Sequence, residues 1–385
     1  MLNILKIAIA APLHHYFDYL APTDFPLNQL KKGLRVLVPF GKQEKVGFLM
    51  ELSTTSERPL SQLRTAIAIL DKVPLLPDSI QRLLEWTSRY YHCPLGEVFA
   101  NALPNSLRVG KDFKNSLKKS PKIHAAKINS KKIVINTTTD GALAKIIQLN
   151  THQQQAIATI INSLGKFQAF LLNGVTGSGK TEVYLEAIQA VLDRGEQALV
   201  LVPEIGLTPQ MLERFQARFS VPLLLFHSRL TEKQRLEHWL LSKTGAASII
   251  IGTRSALFTP LLRPGIIIVD EEHDSSFKQQ NGLRYHARDL ALVRGRLENI
   301  PVILGSATAS LESVFNARQK RYQMLHLPER AGNALQPSFH FVDLRQQKLE
   351  QGFAPVLLQT MQKHLQNQGQ VLLFLNRRGF SPVTI

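Results

Sequence analysis

Gly174-Val175-Thr176-Gly177-Ser178-Gly179-Lys180-Thr181 fits G-x-x-x-x-G-K-[ST] in full. Before it lies an apolar, strand-like run at 169–172. After it Tyr184, Ala187, Ile188, Val191 and Leu192 fall at the i, i+3, i+4, i+7, i+8 spacing of one helix face. A phosphate loop needs this strand–loop–helix setting. Gly174, Val175, Thr176, Gly177, Ser178 and Gly179 let backbone N–H groups wrap phosphate oxygens, and the helix N-terminus adds partial positive charge. Lys180 is placed to pair with the β and γ phosphates of a nucleoside triphosphate. Thr181 is placed to give its hydroxyl to Mg2+. A glycine-rich turn that matches by chance would not need such flanks.

Outward from the loop, strand-like runs recur at 198–202, 248–251, 266–269 and 301–304, with helical patterns between them. Strands alternating with helices predict a parallel α/β sheet. A further strand is expected at 371–375. Two of the runs end in chemistry. The run at 266–269 delivers Asp270-Glu271-Glu272-His273 to its carboxyl end, where α/β sheets bind ligands. Asp270 is placed to hold the Mg2+ shell, and Glu271 to orient and deprotonate the attacking water. With Lys180 they form the expected catalytic set, because phosphoryl transfer needs mainly positioning and charge neutralisation. The run at 301–304 ends in Gly305-Ser306-Ala307-Thr308. Ser306 and Thr308 can relay a nucleotide-driven shift by re-bonding to His273. Taken alone, that tetrapeptide also reads as an ordinary turn.

At roughly 150 residues per domain, 385 residues suggest two or three units. Residues 1–108 hold strand-like runs at 35–40 and 46–50, with Gly33, Pro39 and Gly41 as turns, and a helical pattern at 79–90. They read as a small β-rich domain with an appended helix. Residues 109–148 differ: eight lysines fall between Lys111 and Lys132 against Asp112 alone. This is a basic linker, read equally as a solvated arm or as a non-specific nucleic-acid arm. Of the net charge of +17, +10 lies in residues 1–148. A pI near 10 predicts a polyanionic partner, nucleic acid ahead of a membrane surface. A hydrophobic content of 44% excludes global disorder. The single cysteine, Cys93, excludes an internal disulfide. With neither a signal-peptide pattern nor a bilayer-spanning run, the expected location is cytoplasmic.

The order GVTGSGKT, DEEH, GSAT resembles that of superfamily-two helicases. The segments VPEIGLTPQ (202–210), GTRSALFTP (252–260), DEEHDSSFKQQ (270–280), YHARDL (285–290) and FLNRRGFSP (374–382) are similar to one family among them, the bacterial replication-restart helicases. The resemblance covers residues 1–108 and 149–385. It implies an ATP- and Mg2+-dependent 3′-to-5′ DNA helicase that recognises stalled forks and initiates primosome assembly. Implied ligands are forked DNA, single-stranded DNA and 3′ ends. Implied partners are other primosome proteins and single-stranded DNA-binding protein, with no membrane. Gln153 is the implied adenine reader, with Gln154 and Gln155 as neighbouring registers. Thr253 and Arg254 match a motif that holds the DNA backbone. Phe277, Lys278, Tyr285 and Arg288 match an aromatic-rich loop that stacks bases and grips phosphates, although Phe277 and Tyr285 also read as core residues. FDYL (17–20), VPFGK (38–42) and YYH (90–92) resemble the family's 3′-end-capturing domain. There Asp18 would accept a bond from the 3′-hydroxyl, Phe17 or Tyr19 would stack on the base, and Arg64 would stand in a basic pocket. Each also reads as a turn acid, a core aromatic or a solvated charge.

The expected architecture is a 3′-end DNA-binding domain (1–108), a basic linker (109–148), a RecA-like P-loop motor lobe (149–330) and the start of a second lobe (331–385). Two departures from the family stand out. It carries a winged helix between the first domain and the motor. The 40 residues here fall below the roughly 50-residue floor of a domain, so the winged helix is expected to be absent or degenerate. The family also has a cysteine-rich zinc region and late motifs with an ATP-site arginine. One cysteine cannot supply the zinc ligands, and neither Arg377 nor Arg378 matches the late motif. Such an arginine can be worth on the order of 10³ in rate. The expectation is a C-terminally truncated copy with weak ATP and DNA binding and slow turnover. The alternative is a non-catalytic DNA-binding fragment from a disrupted gene.

Overall fold

The computed structural model describes residues 3–109, 149–330, 338–345, 347–350 and 352–374. The linker and the winged-helix expectation lie outside the described residues, apart from Val109. Residues 1–332 form one compact unit and residues 333–385 another.

The first unit opens with an antiparallel sheet of β1 (Ile4–Ile9), β2 (Phe17–Leu20), β3 (Arg35–Phe40), β4 (Gln43–Ser53) and β5 (Ala68–Ile69), in the order β2-β1-β4-β3-β5. The β3–β4 hairpin turns at Gly41, whose φ of 61° suits glycine. One face of the sheet buries Leu5, Ile7 and Val36 in a small core of its own. The other contributes Ala8, Phe48 and Met50 to the core beneath α1 (Asp78–Tyr90), α2 (Leu95–Asn101) and α3 (Asn105–Arg108). Helix α1 buries Ile80, Leu83 and Leu84, at the i, i+3, i+4 spacing. Arg35 clamps Asp71 through Nε (2.8 Å) and a terminal nitrogen (2.7 Å), and its other terminal nitrogen donates to the Leu107 carbonyl (2.7 Å). The buried bidentate pair ties β3 to the turn after β5, and the Leu107 bond ties it to α3.

A seven-stranded parallel sheet follows, of β6 (Ala169–Gly174), β7 (Gln197–Leu201), β8 (Leu223–Phe226), β9 (Ile249–Gly252), β10 (Pro264–Asp270), β11 (Val302–Ser306) and β12 (Gln323–Leu327), ordered β12-β6-β11-β10-β7-β9-β8. Around it lie α4 (Thr151–Ile161), α5 (Lys180–Asp193), α6 (Pro209–Arg218), α7 (Glu232–Lys243), α8 (Ala287–Glu298) and α9 (Leu311–Arg318). Because both faces are covered, the central strands are continuous apolar runs rather than alternating ones. One apolar cluster runs unbroken from Leu83 and Phe99 through Leu290 to Ile267, so the N-terminal helices share a core with the large sheet.

The second unit contains α10 (Pro355–Gln366). The strand expected at 371–375 is not formed over its described residues, 371–374. Among the described residues of this unit no other strand is available to pair with it, and Leu372 and Phe374 stand exposed. An apolar run becomes a strand only with a neighbour to complete its ladder.

Candidate functional site

Strands β6, β11 and β10 are adjacent, and their carboxyl ends bring the three sequence motifs together. Gly177 and Gly179 sit at φ 78° and 79°, where an L side chain would be strained, and Gly179 caps α5. The first N–H groups of α5 have no helical partner and suit an anion. Lys180 Nζ donates to the Gly174 carbonyl at 3.0 Å, folded back across the loop. The buried Ser178 Oγ has no hydrogen-bond partner among the described residues. A polar atom held this way inside a glycine loop fits a phosphate ligand. Val175, Lys180 and Thr181 are half-buried, and Thr176 is exposed. Gln153 caps α4: its Oε1 accepts from Asn150 N–H (2.9 Å), and its Nε2 donates to the Ser178 carbonyl (2.9 Å). The side chain expected to read adenine is therefore buried and bonded to the phosphate loop itself.

At the end of β10, Asp270 Oδ1 accepts a 3.0 Å hydrogen bond from the buried Tyr184 hydroxyl. Gly305 makes room for that hydroxyl, since a Cβ at this position would collide with it. Burial, then the neighbouring Glu271 carboxylate, pushes the Asp270 pKa up. Burial and Asp270 hold the Tyr184 phenol well above its usual value. A cation would relieve the two crowded acids. Mg2+ typically takes one or two carboxylates plus substrate phosphates and keeps its waters, so Asp270 with the Thr181 hydroxyl fits it. Glu271 lies in the left-handed region at φ 48°, a strained position for a non-glycine residue. His273 Nδ1 lies 2.8 Å from Ser306 Oγ and its Nε2 3.4 Å from Thr308 Oγ1. Glu271 Oε2 stands 3.6 Å from the same Nδ1. The three expected coupling residues are thus in contact.

Sequence reasoning missed Glu272. Fully buried, it accepts from Arg288 (3.2 Å), Ser310 N–H (2.7 Å), Ser310 Oγ (3.0 Å) and Ser313 Oγ (2.8 Å). Ser310 is the N-cap of α9, so this acid fixes the helix that follows the GSAT turn. The signal available in sequence was the third carboxylate of DEEH with a serine pair downstream.

The DNA-facing expectations divide. The Phe277 and Tyr285 rings are both buried, and Tyr285 packs edge-on against Phe258 at 5.1 Å. Both rings belong to the apolar cluster under α8. The Arg288 guanidinium is mostly buried and paired with Glu272 and Asp289. Lys278 donates to the Arg284 carbonyl at 2.6 Å and lies 5.3 Å over the Tyr91 ring. Thr253 is buried, its N–H donating to the Phe226 carbonyl at 3.1 Å, and Arg254 donates to the Ser276 carbonyl at 2.9 Å.

In the N-terminal sheet, Phe17, Asp18, Tyr19 and Arg64 line one open cavity of about 1060 Å³, with Phe40 and Arg58. Asp18 accepts from Ser56 Oγ at 2.6 Å. Phe17 and Phe40 meet edge-on at 5.2 Å, and Arg64 donates to the Gly41 carbonyl at 3.3 Å. Tyr19 is mostly buried and its hydroxyl donates to the Pro39 carbonyl at 2.9 Å, so its ring forms the wall. Burial raises its pKa against the opposing pull of Arg64 and Arg58. The half-buried Phe17 ring, an acceptor carboxylate and two exposed guanidiniums suit a nucleotide end.

Residues 150–317 match the DEAD/DEAH box helicase family, which makes the large sheet and its motifs a helicase domain. Residues 6–104 match the 3′ DNA-binding domain of the PriA family. The replication restart protein PriA of Haemophilus influenzae is 40% identical over 441 residues, an alignment covering 100% of this chain and 60% of that protein. PriA of Rickettsia felis is 34% identical over 389 residues, covering 100% and 55%. The chain belongs to the PriA family. It spans 55–60% of the length of these two curated relatives. Among solved structures, the Pyrococcus furiosus Hef helicase domain is 20% identical with a TM-score of 0.37, over 47% of this chain and 38% of that one. RecG bound to a three-way DNA junction is 19% identical with a TM-score of 0.37, over 49% and 25%. Among the described residues no helix is long and apolar enough to cross a membrane, and no cluster of three or more His, Cys, Asp or Glu forms a metal cage.

Proposed function

We propose that the chain captures the 3′ end of a DNA strand in its N-terminal cavity and binds ATP with Mg2+ at the phosphate loop, as part of a 3′-to-5′ helicase of replication restart. Its setting is the cytoplasm, at stalled forks, with other primosome proteins and single-stranded DNA-binding protein as partners. The observation that carries this reading is the convergence of Lys180, Asp270, Glu271 and the His273–Ser306–Thr308 contact on three neighbouring strand ends. Bound ATP and Mg2+ would supply the transferable phosphoryl group and the charge that neutralises it. Lys180 would exchange the Gly174 carbonyl for phosphate oxygens. Glu271 would orient a water and take its proton at a carboxylate oxygen. His273 would pass the change to Ser306 and Thr308 through a shift of hydrogen bonds. Gln153 would sense nucleotide through the Ser178 carbonyl it holds, or by re-bonding to adenine. Lys278, Thr253 and Arg254 are proposed phosphate contacts. Asp18 would accept from a 3′-hydroxyl, with Phe17 on the terminal base and Arg64 on its phosphate.

Fluorescence anisotropy on forks ending in a 3′-hydroxyl or a 3′-phosphate tests the capture. The hydroxyl end should bind on the order of tenfold tighter, as expected when one charge-assisted hydrogen bond is kept or lost. Asp18→Ala should abolish the difference. Equal binding of both ends that salt alone removes would leave only non-specific charge.

A further inference from the structure

Helix α1 carries features that capture of a terminal nucleotide does not use. Trp86 and Tyr90, one turn apart, lie ring on ring at 4.6 Å between centroids and 12° between planes. Tyr90 is 60% exposed. Tyr91 meets it edge-on at 4.9 Å. Beside them a second hollow of about 250 Å³ is lined by His14, Tyr16, Ser88, Arg89 and His92, with Glu85 in its wall. His14 and Tyr16 also line the 3′-end cavity, so the two hollows share those side chains. His14, Arg89 and His92 are exposed, and Lys278 stands over Tyr91. Glu85 is answered by Lys32 at 2.5 Å. His92 takes the left-handed position that ends α1, at φ 48°.

We propose that the Trp86–Tyr90 stack is a base-stacking platform for single-stranded DNA. The strand whose 3′-terminal nucleotide occupies the larger cavity runs past Tyr16 and His14 and lays a base on Tyr90, with its phosphates toward Arg89 and Lys278. Exposed aromatic faces interleaved with cations are the chemistry of sequence-tolerant single-strand binding. Duplex DNA fits it poorly, because its base faces are already stacked. The inference rests on the 3′-end capture proposed above and extends it to the strand behind the terminal nucleotide.

The chain has two tryptophans. Trp239 is buried, so quenching of tryptophan emission by an oligonucleotide reports Trp86. The full chain would be titrated with 3′-hydroxyl oligodeoxythymidines from about 2 to about 12 nucleotides, a range that brackets common single-strand site sizes. The shortest should bind without quenching. Longer ones should quench Trp86 and bind on the order of tenfold tighter, the usual worth of one stacked base. Tyr90→Ala should remove that gain and leave binding of the shortest oligonucleotide unchanged, which also controls for folding. Asp18→Ala should weaken every length by the same factor and leave quenching at saturation. Long oligonucleotides that bind without quenching, or a Tyr90→Ala loss equal at all lengths, would overturn the platform. Equal affinity for 3′-hydroxyl and 3′-phosphate ends would instead defeat the capture, while the quenching still decides the platform.

Discussion

Replacing Glu272 by alanine should destabilise the first unit far more than replacing its neighbour Glu271 by glutamine. The two acids are adjacent in DEEH, yet their surroundings are opposite. Glu272 is fully buried and takes four donors, from Arg288, the Ser310 backbone, Ser310 Oγ and Ser313 Oγ. Alanine leaves the Ser310 N–H, the cap of α9, without its acceptor, and leaves Arg288 with Asp289 as its remaining carboxylate. Breaking a buried ion pair by removing one partner costs about 3–5 kcal/mol. At roughly 2–4 °C per kcal/mol for a unit of this size or somewhat smaller, the melting temperature should fall by about 10 °C. Glu271 is partly exposed and makes one long contact, with His273. Glu271→Gln should therefore stay within about 2 °C of the parent, as surface changes do. Differential scanning calorimetry of the three chains, with circular dichroism to confirm the fold, makes the comparison. If Glu272→Ala melts within about 2 °C of the parent, the four bonds do not act as a buried network and the division of roles between the two acids is wrong.

Tyr184→Phe removes the donor to Asp270, so Mg2+-dependent nucleotide affinity should drop on the order of tenfold, the worth of a hydrogen bond to a charged group. Nucleotide affinity without Mg2+ should be unchanged in calorimetric titrations. Asp270→Asn should raise the melting temperature at pH 7. Burial and Glu271 raise the folded-state pKa of Asp270, so its ionised form disfavours the fold. That penalty is absent below the unfolded pKa of about 4 and grows as pH rises through it, so the gain from asparagine should vanish in melts near pH 4. Cys93 is buried, and burial with Glu97 beside it pushes its thiol pKa up to about 11 from 9.0. At pH 8 its thiolate fraction is on the order of 100-fold below that of an ordinary thiol, and disulfide-reagent labelling should be at least that much slower than for glutathione.

Legibility in the sequence followed burial. β6, β7, β9, β10 and β11 were readable because central parallel strands, covered on both faces, become uninterrupted apolar runs. β8 and β12 stand at the two sheet edges. β8 is only four residues long, and β12 carries three exposed side chains, Gln323, Met324 and His326. The half-exposed β12 gives no run to find, whereas β8 is an apolar run, Leu223–Phe226, no shorter than β9, and went unread. The stretch at 371–374 failed in the opposite direction, since it has the run without a neighbouring strand. The nucleotide motifs were readable because phosphate chemistry demands particular residue types in a particular order at strand ends.

The loop after DEEH shows where that legibility stops. Aromatics interleaved with cations describe a base-stacking loop and a core-anchored loop equally well. Long-range partners separate them, and spacing does not carry those. Phe277 and Tyr285 are drawn inward by the apolar cluster under α8. Arg288 is drawn inward by Glu272, an acid sixteen positions earlier. On the outer side, the Tyr91 hydroxyl accepts the His286 N–H at 3.1 Å, and Lys278 lies over the same ring. Among the aromatics around Tyr91, Tyr90 is left open to solvent, supplied by the N-terminal domain beside the motor's loop. Both have the same composition; burial decides which aromatics remain to meet a ligand.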